Sequence, residues 1–157
     1  MVLYIDACVR KNSRTRRLAD CLLHTLNAPY TRLRLEECVF PTVDEAFLEK
    51  RDRLLREGDF DNPVFAYARQ FAQADEIIIA APFWDLSFPA VLKSYLEQIN
   101  VVGITFRYTP EGFRKACAGR NGCTMSRRPA GTSSRNNMDL GTYRRWRKTF
   151  IISRTLN

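Results

Sequence analysis

Residues 75–109, DEIIIAAPFWDLSFPAVLKSYLEQINVVGITFRYT, decide the fold. Ile77, Ile78, Ile79, Ala80 and Ala81 form an unbroken apolar run that ends at Pro82. A short apolar run with charge before it and proline after it predicts a strand buried on both faces of a parallel sheet. Phe83, Trp84, Asp85 and Leu86 follow as a loop. Ser87-Phe88-Pro89 then opens a helix, with Ser87 as its N-cap and Pro89 in its first turn. Val91, Leu92, Tyr95, Leu96 and Ile99 recur at helical spacing, which gives that helix one apolar face. Ligands of open α/β sheets sit beyond the carboxyl ends of the strands, and residues 83–86 fall there.

The N-terminal part repeats the pattern. Val2 to Asp6 (VLYID) predicts a first strand, and 7–12 a polar turn. A helix then begins at Ser13-Arg14-Thr15, with Ser13 as N-cap and Leu18, Cys21, Leu22 and Leu26 along one face. Asn27-Ala28-Pro29 ends it, and YTRLRL at 30–35 predicts a second strand. The start of that helix suits an anion, because its first amides and its dipole both face one. Ser13 and Thr15 offer hydroxyls there, and Arg10, Arg14 and Arg16 add charge. No glycine-rich phosphate loop is present, so a Walker-type site is excluded. The plainer alternative is a capped helix with a solvated basic face.

Residues 36–63 are polar and charged. Residues 44–56 have helical composition with a weak stripe of Phe47, Leu48, Leu54 and Leu55, broken by GDFDNP at 58–63. This insertion reads as a surface arm or lid, and 65–71 as a short helix leading into the central strand. After Asn100, the run VVGITFRYT reads as an extended loop with a short hairpin.

Length and composition set bounds. A chain of 157 residues with 45% hydrophobic content suits one domain with one core. The opening MVLYID carries no basic segment followed by a long apolar one, so no signal peptide is expected. No apolar run reaches the length of a membrane span. Five cysteines (8, 21, 38, 117, 123) and a single histidine make no zinc pattern; reduced thiols in a cytoplasmic protein are expected, with no metal. The net charge of +8 is unevenly spread. From Arg114 onward there are 11 Lys and Arg against one acid, Asp139, while the first 113 residues hold 14 against 16. Such asymmetry marks a nucleic-acid-binding tail or a foreign segment.

Three motifs now stand in register: ACVRKNSRTRRLA at 7–19, APFWDLSFPAVLKSYLEQI at 81–99 and GITFRYT at 103–109. Together they resemble the flavodoxin-like NAD(P)H:quinone and FMN-dependent azo reductases over about the first 113 residues. The resemblance implies an α/β fold: a doubly wound parallel sheet in three α/β/α layers. It implies FMN as cofactor, NADH or NADPH as donor, and quinone, azo or nitroaromatic acceptors. By it, Ser13, Arg14 and Thr15 hold the FMN phosphate, with Arg10 as a weaker candidate. Pro82, Phe83, Trp84, Asp85 and Leu86 line the isoalloxazine and offer it backbone amides. Cys8 stands where relatives often carry serine. The helix after Pro89 implies a homodimer, with Phe106 near the partner's flavin as a substrate-stacking residue. No catalytic side chain is required, since the chemistry belongs to the flavin.

Beyond Gly112 the sequence departs from that family. A fourth strand and a T-T-x-G-G loop are expected, and residues 114–157 are instead Arg-rich and without clear strand periodicity. TMSRRPAG at 124–131, rewritten as codons and read two bases later, can spell Y-V-T-T-A-G-G-Y, so the tail has the character of an out-of-frame translation. The expected consequences are a domain of residues 1–113 with a basic, poorly ordered tail of 114–157. The sheet keeps three strands and is incomplete at its C-terminal side, one flavin wall is lost, and FMN binding is weak or absent. Two other functions compete. One is an α/β module whose Arg144, Arg145, Arg147 and Lys148 around Trp146 grip nucleic acid. The other is a flavodoxin-like electron carrier without NAD(P)H activity.

Overall fold

The computed structural model describes residues 1–84 and 86–108, with the backbone of 114–116, 124–125 and 149–154. In chain order the elements are β1 (Val2–Asp6), α1 (Arg14–Leu26), β2 (Tyr30–Arg34), α2 (Glu45–Glu57), α3 (Ala66–Gln73), β3 (Glu76–Pro82) and α4 (Ala90–Ile99). Then come β4 (Phe106–Tyr108), β5 (Arg114–Ala116), β6 (Thr124–Met125) and β7 (Thr149–Arg154).

β1 is buried along its whole length and apolar up to its last residue, Asp6, and it lies between β2 and β3 with both neighbours parallel. In that register Asp6 stands opposite Arg34 on one side and Ala80 on the other. The chain thus steps outward from β1 to β2, then crosses back to place β3 on the far side of β1. This is the order reversal at which doubly wound sheets bind ligands, between the carboxyl ends of β1 and β3.

Alternation along the strands sorts the core into two faces. Leu3, Ile5, Ala7, Ile77, Ile79 and Ala81 pack with Leu92, Tyr95 and Ile99 of α4, and Tyr67 and Phe71 of α3 lie against them. Val2, Tyr4, Cys8, Ile78 and Ala80 pack with Ala19 and Leu23 of α1 on the other face. Helices therefore cover both faces, as the three-layer expectation requires. Leu3, Tyr4, Ile5 and Ile78 have no exposed surface, and full burial of one such side chain contributes about 1.5–3 kcal/mol.

Three local expectations need correction. The buried side of α1 is Thr15, Ala19 and Leu23, while Cys21 and Leu26 are exposed. Small side chains let this helix approach the sheet closely, and the larger apolar residues flank the contact. Ser87 does not cap α4; Pro89 holds that place without a side-chain bond, because Ser87 closes a turn with Trp84. The insertion is mostly exposed yet anchored. Leu54 of α2 packs with Phe65, Ala68 and Val101, and the buried Gln98 donates to the Pro41 carbonyl at 3.2 Å.

The sheet also holds more than three strands. β7 pairs antiparallel with the outer edge of β3, Ile79 opposite Ile152, and β6 adds to β7. An unpaired central edge has a row of free amides and carbonyls. The segment TFIISR, with Phe150, Ile151 and Ile152, is β-prone enough to take it. Periodicity over the whole tail hides so short a run. The expected disorder of 114–157, and the cluster of 144–148, otherwise lie outside the described residues. Among the described residues no helix is long and apolar enough to cross a membrane.

Candidate functional site

The loop after β1 is built around a buried carboxylate. Asp6 is 1% exposed and receives Arg16 Nε at 2.7 Å and Arg32 Nη2 at 2.8 Å on the same oxygen. Its other oxygen accepts the Cys8 amide at 3.0 Å. Burial alone would raise the Asp6 pKa, but the hydrogen bonds from Arg32, the Cys8 amide and Arg16 outweigh it and hold the carboxyl below its usual value. Arg32 also lies 4.9 Å above the Tyr4 ring. Burial pushes the Tyr4 hydroxyl well up, and Asp6 adds to that.

Arg16 does more than pair with Asp6. Its Nη1 donates to the carbonyls of Arg10 at 3.1 Å and Lys11 at 3.4 Å, and its Nη2 donates to the Cys8 carbonyl. The guanidinium thus sits beneath the loop, with its side chain 11% exposed, and is not a surface charge available to a ligand. That corrects its expected place among the arginines facing an anion. Sequence alone shows three arginines in four positions, and nothing local separates the buried one. The signal that could have done so is Asp6 at the end of an otherwise apolar strand, since a buried charge needs a partner.

The phosphate candidates take these positions. Ser13 is 8% exposed and caps α1, its hydroxyl accepting the Arg16 amide at 3.3 Å. Thr15 is buried in the first turn of α1, and Arg10 and Arg14 are exposed. Cys8 is buried, its thiol donating to the Ala80 carbonyl of β3 at 3.6 Å. The thiol pKa is pushed up to about 12, chiefly by burial.

The loop after β3 has the opposite character. Trp84 and Ser87 exchange both backbone hydrogen bonds, at 2.8 and 2.7 Å, and so close a tight turn. The Trp84 amide is therefore engaged within the turn, and its indole, 38% exposed, is what it can offer a ring. Leu86 lies in the left-handed region, φ 64°, and is 89% exposed. A leucine in that conformation is strained, and an exposed, strained apolar residue at a sheet's ligand edge suits a contact made only when something binds. Phe83 and Pro82 are half-buried, and Asp85 lies outside the described residues.

The two loops meet because β1 and β3 are neighbours. Ala7 donates to the Ala80 carbonyl at 2.9 Å, so both chains leave the sheet side by side. One loop brings amides, a helix N-terminus and the exposed side chains of Arg10 and Arg14; the other brings apolar surface. This pairing fits a ligand with a phosphate at one end and a flat ring at the other, as FMN has. Phe106 is not joined to them by the sheet. It lies in the separate β4–β5 hairpin, edge-on to Tyr108 at 5.7 Å. Among the described residues no group of His, Cys, Asp and Glu could hold a metal.

Comparison with known proteins bears on the family and the fold. The chain is 52% identical over 73 residues to FMN-dependent NADH:quinone oxidoreductase 2 of Clostridium acetobutylicum, which covers 46% of this chain and 36% of that protein. It is 38% identical over 118 residues to the FMN-dependent NADH:quinone oxidoreductase of Clostridium perfringens strain SM101, covering 71% of this chain and 60% of the relative. The chain thus spans less than two thirds of the length of these curated relatives. Among solved structures, an azoreductase from Bacillus anthracis superposes with a TM-score of 0.62 at 27% identity, over 71% of this chain and 60% of that one. A family model described as the flavodoxin-like fold matches residues 1–144 of the 157, and the chain belongs to that family.

Proposed function

We propose that this chain is an FMN-dependent oxidoreductase acting between NADH or NADPH and quinone, azo or nitroaromatic acceptors. The redox chemistry, hydride transfer from a reduced nicotinamide to the acceptor, would be supplied by FMN when bound. The chain's own residues bind and orient. The 7–13 loop, Ser13 and the N-terminus of α1 take the phosphate, with Arg10 and Arg14 adding surface charge. Trp84 and Leu86, supported by Pro82 and Phe83, supply the apolar wall and exclude water from one side of the ring. A homodimer built on α4, with Phe106 reaching the partner's site, belongs to the same proposal.

One observation carries this reading: the register that sets Asp6 opposite Ala80 sends both loops off one edge of the sheet. The names of the relatives support it. The T-T-x-G-G loop is absent from 114–157, so FMN is held less tightly than in a full-length relative. We infer that this tail is an out-of-frame translation, and source DNA whose shifted codons cannot encode that loop refutes the inference.

Titration with FMN, followed by the flavin band at about 450 nm, tests binding. Oxidation of NADH with a quinone present tests activity. Flavin binding without NADH oxidation favours the electron carrier. Salt-dependent retention on DNA with no flavin signal favours the nucleic-acid module.

A further inference from the structure

We infer that Arg16 is the positioning residue of the 7–13 loop: fixed by Asp6, it draws the loop's carbonyls inward and so turns the opposite amides toward a phosphate monoester. This rests on the flavin-binding reading above and names what prepares its phosphate end.

The argument begins with peptide geometry. In a trans peptide the carbonyl of one residue and the amide of the next point in opposite directions. Arg16 engages the carbonyls of Cys8, Arg10 and Lys11. The amides of Val9, Lys11 and Asn12 therefore face away from the guanidinium. No described residue accepts from them, whereas the neighbouring Ala7 and Cys8 amides are engaged by Ala80 and Asp6. Successive outward amides in a short loop make a concavity that suits an anion.

Arg16 also makes more contacts than ion pairing requires. Asp6 is already bound by Arg32, so Arg16 adds a second positive charge to one carboxylate. The other acid within reach, Glu36, lies at 3.4 Å and is shared with Arg34. A purely structural ion pair needs only the Nε–carboxylate contact. Three further loop carbonyls on one fork of donors mean that the guanidinium also sets the loop's shape.

The test compares FMN with riboflavin, which lacks only the phosphate, by quenching of flavin fluorescence on the full chain. Arg16→Met should raise the FMN dissociation constant roughly tenfold to a hundredfold, as expected for losing one or two hydrogen bonds to a charged group. Riboflavin should change by less than about twofold. Arg16→Lys keeps the charge but not the fork, so it should restore only part of the preference for FMN. An unchanged FMN-to-riboflavin ratio in both variants overturns the role of Arg16 while leaving flavin binding intact. A wild-type chain that binds neither ligand removes the flavin reading itself, and this inference with it. Should the variants fail to fold, hydrogen exchange on the wild type decides: FMN should slow the amides of Val9, Lys11 and Asn12, and unaltered exchange with FMN bound refutes the proposal.

Discussion

The loops after β1 and β3 leave the same sheet edge side by side, yet they are held by different forces. The first is tied from below by a buried carboxylate and two arginines, one of which reaches three of its carbonyls. The second is closed by its own backbone turn and carries Leu86 and Trp84 into solvent. An anion gains most from donors already fixed in place, because reorienting dipoles on binding opposes affinity. An apolar ring asks only for adaptable surface to cover it. The difference teaches a division of labour: the phosphate end is pre-organised, and the ring end becomes ordered by contact.

Removing Asp6 should disturb the first loop most. In Asp6→Asn two partly buried guanidinium groups lose their shared buried carboxylate and keep only the more distant Glu36 and Asp20, which should lower the unfolding free energy by about 3 kcal/mol in urea titrations. The same carboxylate sets an acid limb. Its folded pKa is depressed, so its contribution is complete above the unfolded carboxyl value of about 3.9 and is lost as pH falls through the lower folded value. Stability of the wild type should therefore drop more steeply below about pH 4 than that of Asp6→Asn. Parallel acid curves would mean that the loop is not held by this charge.

Trp84→Ala tests the second loop. Loss of an exposed ring platform should weaken FMN and riboflavin by the same factor, about tenfold, since stacking does not sense the phosphate. A loss confined to FMN would erase the division between the loops, and fluorescence titration of both ligands distinguishes the outcomes.

How much of this was legible in the sequence depends on the range of each interaction. The apolar runs of β1 and β3, the Ser13 cap and the break at Gly58 are local, and they stand where residue type and spacing place them. The packed side of α1 was misread because periodicity rewards large apolar residues, whereas close approach to a sheet favours Thr15 and Ala19. The Ser87 cap failed for a related reason, since a serine before proline looks the same whether its backbone starts a helix or closes a turn. Beyond the lone charge of Asp6 in an apolar strand, the clamp at Arg16 left no local sign because it joins residues 6, 8, 10, 11, 16 and 32 from two strands, a loop and a helix. The β3–β7 pairing spans about half the chain and leaves no short-range trace.

A smaller effect belongs to Leu86. Its left-handed backbone costs about 1 kcal/mol relative to glycine, and its side chain, almost wholly exposed, regains little of that within the described fold. Leu86→Gly should therefore raise thermal stability slightly, by up to about 1 kcal/mol, while weakening flavin binding. Opposite signs for stability and binding are what a residue kept for contact should show; a variant that loses both would make Leu86 an ordinary part of the fold.

The smallest change lies where the two loops touch. The Cys8 thiol donates to Ala80 from a site 1% exposed, and burial first of all keeps it protonated, its pKa pushed up to about 12. Only the thiolate is nucleophilic, so Cys8 should resist iodoacetamide at pH about 8 while exposed Cys21 is alkylated. Mass spectrometry of the native protein reads both sites at once. Protection of Cys8 should persist in Trp84→Ala, which leaves the sheet edge closed, and fail in Asp6→Asn, because the Cys8 amide and carbonyl are both tied into the clamp. Equal labelling in the two variants would show that the seam between the loops does not depend on the charged one, and the contrast between them would then be one of composition alone.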